Sequence, residues 1–122
     1  MNGNKIIIGS RGSDLALWQA NYISGRLAES GCETEISIIK TKGDDVKLSF
    51  DKMEGKGFFT REIEEALLGG KIDLAVHSFK DLETVRPAGL KIATVTERAN
   101  PADILLLRRE CIRPRAFLSL EK

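Results

Sequence analysis

The sequence has 122 residues, of which 42% are hydrophobic and 30% are charged, and its formal net charge is +1 at pH 7. A chain of this length and composition is typical of one globular domain, with room for part of a second. Its balanced charges leave no basic face for nucleic acid, and no apolar run approaches the roughly 20 residues that span a bilayer, so we expect neither a nucleic-acid nor a membrane partner.

The first third of the chain predicts a strand, a helix and a second strand. The β-branched run Lys5–Gly9 is typical of a buried strand, and Ser13 is placed as the N-cap residue of a helix that Gly31 ends. Two apolar rows recur at helical spacing: Leu15, Trp18 and Tyr22, and Ala16, Ala20, Ile23 and Leu27. The alternation of apolar and polar residues in Glu33–Thr41 predicts the second strand.

A polar stretch punctuated by glycine, Lys42–Gly57, comes next. Loops of this length are uncommon inside a compact domain and are usually functional or disordered. A helix of roughly ten residues is predicted after it, ended by the pair Gly69–Gly70. Two apolar runs, Lys71–His77 and Leu90–Thr96, predict a third and a fourth strand, joined by a short helical turn and a Pro-Gly bend. Strands that alternate with helices predict an α/β domain with a mostly parallel sheet.

The chain changes character near its end. Residues 99–103 have the composition of a hinge, and the apolar run after them has no partner strand in the sequence. Because a lone strand cannot bury itself, we expect residues 1–98 to form one domain and residues 104–122 to begin a second, incomplete one.

Polar residues follow the first and the third predicted strands. In parallel sheets ligands bind beyond the carboxyl ends of the strands. The groups that could converge there are Arg11, Ser13, Lys52, Lys56, Ser78 and Lys80. Cations and helix N-termini attract anions, so a polyanionic small molecule is the expected ligand class. Solvated surface lysines are the simpler interpretation of Lys52 and Lys56 alone, whereas for Arg11 and Lys80, in turns beside strand ends, binding is favoured.

Asp81 is a carboxylate among these cations. Nearby positive charge favours its ionised form, so it could stabilise a cationic intermediate or exchange a proton with an N–H group. The alternative is an ordinary surface pair with Lys80, worth at most about 1 kcal/mol. His77 is interpreted as a residue that shapes the turn, and Cys32 and Cys111 as reduced thiols of a cytoplasmic protein. No spacing typical of metal ligands is present, so no metal is expected.

Four motifs in the chain, in this order and spacing, resemble the N-terminal domain of the porphobilinogen deaminases. They are IGSRGSDLALWQAN, IKTKGD, EGKGFFTREIEEALL and DLAVHSFKDL. The resemblance runs from about Lys5 to Asp103. It implies a domain like those of type II periplasmic binding proteins. It also implies the activity of these transferases, which condense four porphobilinogen molecules head to tail into hydroxymethylbilane, with release of ammonia, on the route to haem.

The resemblance also implies roles for individual residues. Asp81 would be the catalytic aspartate, which holds pyrrole N–H groups and stabilises the azafulvene cation. The residues that would bind cofactor or substrate carboxylates are Arg11, Ser13, Ser78 and Lys80. Lys52 and Lys56 match lysines of a mobile loop over the cleft, and Phe59 matches an aromatic residue near the substrate pyrrole. Asp44 matches an acid of the second motif.

The chain departs from the family in two ways. Glu83 stands where the family usually has proline, and the sequence ends at Lys122, before the family's second and third domains. Neither Cys32 nor Cys111 matches the cysteine that carries the family's dipyrromethane cofactor. We therefore expect the chain alone to lack deaminase activity and covalent dipyrromethane, and to be marginally stable or self-associating, although the family is usually monomeric. The alternative is a stand-alone module that binds small anions without catalysis.

Overall fold

The computed structural model describes residues 5–44 and 57–103. Within these ranges strands and helices alternate as β1 (Ile6–Ser10), α1 (Asp14–Glu29), β2 (Thr34–Ile38), α2 (Arg61–Leu68) and β3 (Leu74–Ala75). The strands form an open sheet of order β2-β1-β3, and both pairings are parallel. The predicted α/β class and parallel sheet are confirmed. Over these residues no helix has both the length and the apolar composition needed to cross a membrane.

The strand order puts a topological switch point between β1 and β3. The chain crosses from β1 through α1 to β2 on one side, and then through α2 to β3 on the other side of β1. Right-handed crossovers in opposite directions place the two helices on opposite faces of the sheet. Consistent with this, Ile7 packs against the core under α2, while its neighbour Ile8, on the opposite face, is fully buried. The turn after β1 leads into α1, whereas the segment after β3 belongs to neither crossover, and the carboxyl ends of these two neighbouring strands are the place where such a sheet forms a crevice.

Local signals set the ends of α1. The N-cap is Ser13 as predicted, and its Oγ accepts a hydrogen bond from the Ala16 amide at 3.3 Å. At the other end Gly31 adopts a φ of +80°, a conformation that favours glycine. The amides of Gly31 and Cys32 donate back to carbonyls of the last helical turn. This Schellman motif ends the helix where the sequence predicts.

Only one of the two apolar rows of α1 faces the sheet. Ala20, from the row with more alanine, is fully buried. Leu15, Trp18 and Tyr22, from the other row, are 57%, 64% and 43% exposed. The rings of Trp18 and Tyr22 stack on each other, with centroids 6.0 Å apart. The helix thus presents an apolar row on its outer surface.

The hydrophobic core on the other face of the sheet is built on α2. It consists of Ile63, Ala66 and Ile72, with Ile7, Ile39, Leu67 and Ala75 packed against it. The helix ends at the predicted glycine pair, where Gly70 adopts a φ of +67°. Because Ile72 follows this turn directly, the glycine pair brings the chain back under the sheet and into β3.

The strands after α2 are shorter than the sequence predicts. In the third predicted strand only Leu74–Ala75 pair with β1. The fourth predicted strand, Leu90–Thr96, is wrong, since residues 76–103 contain no strand. An apolar run becomes a strand only where it finds a hydrogen-bonding neighbour, and residues 93–96 are instead exposed. The short helical turn between the two runs is present at Phe79–Asp81.

The end of the chain lies largely outside the described residues. By its internal contacts the chain divides after Ile92. In the second unit, residues 93–103 contain no helix or strand, and nothing is described beyond them. The hinge at 99–103 and a second domain from residue 104 stay predictions.

Replacing Ile63 with alanine should destabilise the fold far more than the same change at Leu68 on the same helix. Ile63 is fully buried, so its truncation should lower the free energy of unfolding by about 2–5 kcal/mol. Leu68 is 53% exposed, and its truncation should change that free energy by about 0.5 kcal/mol or less. Urea denaturation followed by circular dichroism measures both values. Equal losses for the two variants would contradict the assigned core.

Candidate functional site

An open cleft of about 310 Å³ lies beyond the carboxyl ends of β1 and β3, at the switch point. Its walls come from the turn after β1, the first two turns of α1, the turn before α2 and the segment after β3. The lining residues are Arg11, Ser13, Leu15, Ala16, Gln19, Phe59, Val76, His77, Ser78, Lys80 and Asp81. Segments distant in the sequence thus form one concave surface, the usual form of a small-molecule site.

The cleft brings together most of the residues predicted from the sequence, namely Arg11, Ser13, Phe59, Ser78, Lys80 and Asp81. Lys52 and Lys56 lie outside the described residues, together with most of the long polar loop. Sequence reasoning missed Gln19, which lines the cleft because α1 begins at its edge. The signal for it was available, since Gln19 lies within two turns of the N-cap residue Ser13.

Arg11 lies at the centre of the polar contacts. Its Nε and Nη2 donate to Oδ1 of Asp44 at 2.9 and 2.5 Å. Its guanidinium lies over the ring of Phe59, with Cζ 4.2 Å from the ring centroid, a distance typical of a cation–π contact. Its Nη1 faces Oδ2 of Asp81 at 3.7 Å. One side chain therefore connects the turn after β1 with three other segments.

Asp44 is held from two sides. While Oδ1 accepts from Arg11, Oδ2 accepts from the backbone amide and hydroxyl of Thr41, at 3.1 and 2.7 Å. Burial alone would raise the pKa of the Asp44 carboxyl, but hydrogen bonds from Arg11 and Thr41 hold that pKa below its ordinary value. The carboxylate is therefore ionised at neutral pH and is a fixed partner for the guanidinium.

The aromatic ring under Arg11 depends on a glycine. Phe59 lies directly against Gly43, where a Cβ atom would overlap the ring. The Gly43 amide also donates to the Phe58 carbonyl at 2.8 Å, which ties the turn at Lys42–Asp44 to the segment before α2. The glycine of the KGD sequence thus lets Phe59 approach closely enough to support the guanidinium.

Asp81 lies at the end of the short helical turn after β3. The turn begins at Ser78, whose carbonyl accepts from the Asp81 amide at 2.9 Å. The Ser78 hydroxyl donates to Oε1 of Gln19 at 3.2 Å. This contact fastens the turn to α1 and fixes the side of the cleft from which Asp81 approaches.

The cationic neighbour of Asp81 is Arg11 rather than Lys80. Lys80 is exposed, and in the part of the chain that the structure describes it forms no ion pair within 4.0 Å. The alternative of an ordinary Lys80–Asp81 surface pair is therefore wrong. Lys80 also lines the cleft.

His77 belongs to the cleft wall as well as to the turn. Burial lowers the pKa of its imidazole below the ordinary value, while the negative charge of Asp81 raises it and the positive charge of Arg11 lowers it further. The ring is therefore neutral at neutral pH. The sequence puts His77 in the polar cluster after the third predicted strand, and the structure puts it in the wall of the cleft.

A second cleft, of about 290 Å³, lies beside α2 and β2. Its charged residues are Glu62, Glu65 and Lys71. With two carboxylates and a single cation, it has no excess of positive charge for a polyanion. The candidate site is therefore the cleft around Arg11.

Comparison with protein families gives a match over almost the whole chain. Residues 6–118 match the family described as porphobilinogen deaminase, dipyromethane cofactor binding domain. The matched range includes every described residue that lines the cleft around Arg11.

Curated relatives agree with this match. The porphobilinogen deaminase of Helicobacter acinonychis is 55% identical over 104 residues, which are 84% of this chain and 34% of that protein. Those of Nitrosomonas europaea and Sulfurimonas denitrificans are 50% and 48% identical, over 81% and 84% of this chain and 33% and 34% of theirs. The chain thus spans about a third of the length of the curated relatives that it matches. From the match over residues 6–118, the chain belongs to the porphobilinogen deaminase family.

Proposed function

We propose that this chain supplies the pyrrole-binding cleft and the catalytic aspartate of a porphobilinogen deaminase. Such an enzyme condenses four porphobilinogen molecules head to tail into hydroxymethylbilane and releases ammonia. The observation that carries the proposal is the juxtaposition of Arg11 Nη1 and Asp81 Oδ2, 3.7 Å apart in a cleft at the switch point. A carboxylate and a guanidinium side by side can receive the two kinds of group that the substrate presents.

The substrate's carboxylates match the cations of the cleft. Each pyrrole carries an acetate and a propionate. Arg11 can receive one of them through a charge-assisted pair of hydrogen bonds, and the exposed ammonium of Lys80 can receive the other. The hydroxyl of Ser13 and the N-terminus of α1 add donors on the same side, which Ser78, whose hydroxyl donates to Gln19, also lines. These features support binding of a pyrrole dicarboxylate.

Asp81 would act on the reacting ring. Its carboxylate can accept a hydrogen bond from the pyrrole N–H. When ammonia leaves with the electron pair of its C–N bond, the ring and its exocyclic carbon become cationic, and a fixed carboxylate stabilises this charge. The free α-carbon of the terminal ring of the growing chain then attacks this exocyclic carbon and loses its proton. Asp81 is suited to this role because the Ser78 turn holds it beside Arg11.

The dipyrromethane cofactor of the family carries the same carboxylates as the substrate, so Arg11, Ser13 and Lys80 fit it equally well. When bound, it supplies the pyrrole from which the chain of rings grows. Cys32 is not suited to attach it. That thiol follows the C-terminal end of α1, about 24 Å of helix from Ser13 at the cleft.

Finer features of the family extend this proposal. The parallel sheet with a cleft at its switch point supports a domain like those of type II periplasmic binding proteins. In that arrangement a second domain, joined through a hinge at 99–103, would close over the cleft in a cytoplasmic enzyme.

The exposed row of Leu15, Trp18 and Tyr22 supports self-association of this chain on its own. The deaminase relatives disfavour a stand-alone anion-binding module.

Replacing Arg11 with alanine should weaken binding of porphobilinogen to the 122-residue chain by about tenfold or more. A hydrogen-bonded charge pair contributes roughly 1.5–3 kcal/mol, and this change removes it. Isothermal titration calorimetry measures the dissociation constants. Arg26→Ala is the matched control, because Arg26 is exposed on α1 and pairs only with Glu29 among the described residues. Equal affinities for the Arg11 and Arg26 variants would refute the proposed site.

His77, the only histidine, gives a single imidazole signal that reports on this cleft. Its NMR titration midpoint should lie below the ordinary value for histidine. Arg11→Ala should raise the midpoint because a neighbouring cation is lost, and Asp81→Asn should lower it because an anion is lost. Porphobilinogen should shift the His77 signals of the wild type. Signals that are indifferent to both substitutions and to porphobilinogen would place His77 outside the site.

A further inference from the structure

We infer that Asp44 is a positioning residue, which holds Arg11 by one edge so that its other edge is presented to a carboxylate in the cleft. The inference rests on the proposed function of the cleft and deepens it. It gives the acid of the KGD sequence a role that acts through Arg11 and not by contact with the ligand.

The donors of Arg11 divide into two edges. A guanidinium has five N–H groups, and Asp44 engages those on Nε and on one side of Nη2. The edge formed by Nη1 and the other side of Nη2 donates no hydrogen bond to any of the described residues. This edge has the two parallel donors that bind a carboxylate in a bidentate manner. At 3.7 Å, Nη1 is also too far from Asp81 for a hydrogen bond, so Asp81 does not saturate it.

Asp44 is itself fixed by hydrogen bonds before any ligand binds. Both carboxylate oxygens of Asp44 are occupied, one by Arg11 and one by Thr41. Thr41 is only 5% exposed, and its carbonyl also accepts from the Asp44 amide at 3.0 Å. Phe59 supports the face of the guanidinium. Orientation that is established in advance reduces the entropy lost when a ligand binds.

Asp44 also keeps Arg11 and Asp81 apart. Opposite charges 3.7 Å apart would close into a direct ion pair if nothing else held the guanidinium. Such a pair would occupy both the anion-binding edge and the catalytic carboxylate. Because Asp44 holds Arg11 from the opposite side, the Nη1 donors are not drawn into a short hydrogen bond with Asp81 and stay available to a ligand carboxylate.

Two physical effects predict opposite results when Asp44 is neutralised. Net charge alone predicts that Asp44→Asn strengthens binding of a dicarboxylate, since the cleft loses a negative charge. The positioning role predicts weaker binding, because Arg11 is released towards Asp81. The direction of the change therefore separates the two effects.

The test measures binding of porphobilinogen to the 122-residue chain and to its Asp44→Asn variant. We expect the dissociation constant to rise by about tenfold, as for loss of one charge-assisted hydrogen bond. Glu65→Gln is the matched control, since Glu65 pairs with Arg61 Nε at 3.1 Å away from this cleft, and it should leave the constant within about twofold. Unchanged or tighter binding by Asp44→Asn would overturn the inference.

A double-mutant cycle separates positioning from a general structural role. In an Arg11→Ala background, Asp44→Asn should have no further effect on binding, because the residue through which it acts is gone. A loss that persists in that background would show a structural role and overturn the inference.

A readout that needs no ligand keeps the two proposals distinguishable. The Arg11 Nε–H proton should exchange slowly with water in the wild type and rapidly in Asp44→Asn, while that of Arg61 is unchanged. If wild-type chain binds no porphobilinogen, the proposed function fails, and this exchange rate alone decides on Asp44. Equal exchange of the Arg11 proton in both proteins would then overturn the inference.

Discussion

The contact on which the site depends is the hydrogen-bonded ion pair between Arg11 and Asp44. Their side chains are 19% and 26% exposed, so both charges have left most of their water. Desolvated charges are favourable only where hydrogen bonds replace the lost solvation, and Thr41 and Phe59 complete the surroundings of the pair. If either charge were removed, the other would remain partly buried without its partner. The pair therefore fixes the conformation of the cleft.

The fold brings the members of this pair to one place. β1 is the central strand, and the turn after it lies at the same edge of the sheet as the segment after its neighbour β3. Close packing reinforces this arrangement at Gly9, where a Cβ atom would overlap Ile72 of the core. The core under α2 thus touches the bare backbone of β1 two residues before Arg11. Packing and the geometry of the cleft are linked through this short piece of chain.

Much of the fold was predictable because its signals are local. The ends of α1 follow from Ser13 and Gly31, and the end of α2 follows from its glycine pair, each acting within one helical turn. The lengths of strands were not predictable in the same way. Leu74–Ala75 pair with β1 only where the neighbouring backbone is present, and Leu90–Thr96 form no strand because a strand requires a partner as well as apolar residues. An apolar run does not by itself determine whether a distant segment will pair with it.

For the site, too, some features were predictable from the sequence and others were not. Position after a strand was enough to predict that Arg11, Ser13, Ser78, Lys80 and Asp81 line the cleft, because carboxyl ends of parallel strands meet at one edge of the sheet. Which cation lies beside Asp81 was not predictable from the residues next to it in the sequence. Lys80 adjoins Asp81 in sequence, yet the cation beside Asp81 is Arg11, whose orientation is set by Asp44.

The most direct test of the central claim is a crystal structure of the chain with bound porphobilinogen. We expect a substrate carboxylate on the Nη1–Nη2 edge of Arg11, the pyrrole N–H directed at Asp81, and the contact between Arg11 and Asp44 retained. Porphobilinogen bound beside Lys71 in the second cleft, or Arg11 turned away from Asp44 to reach the ligand, would contradict it.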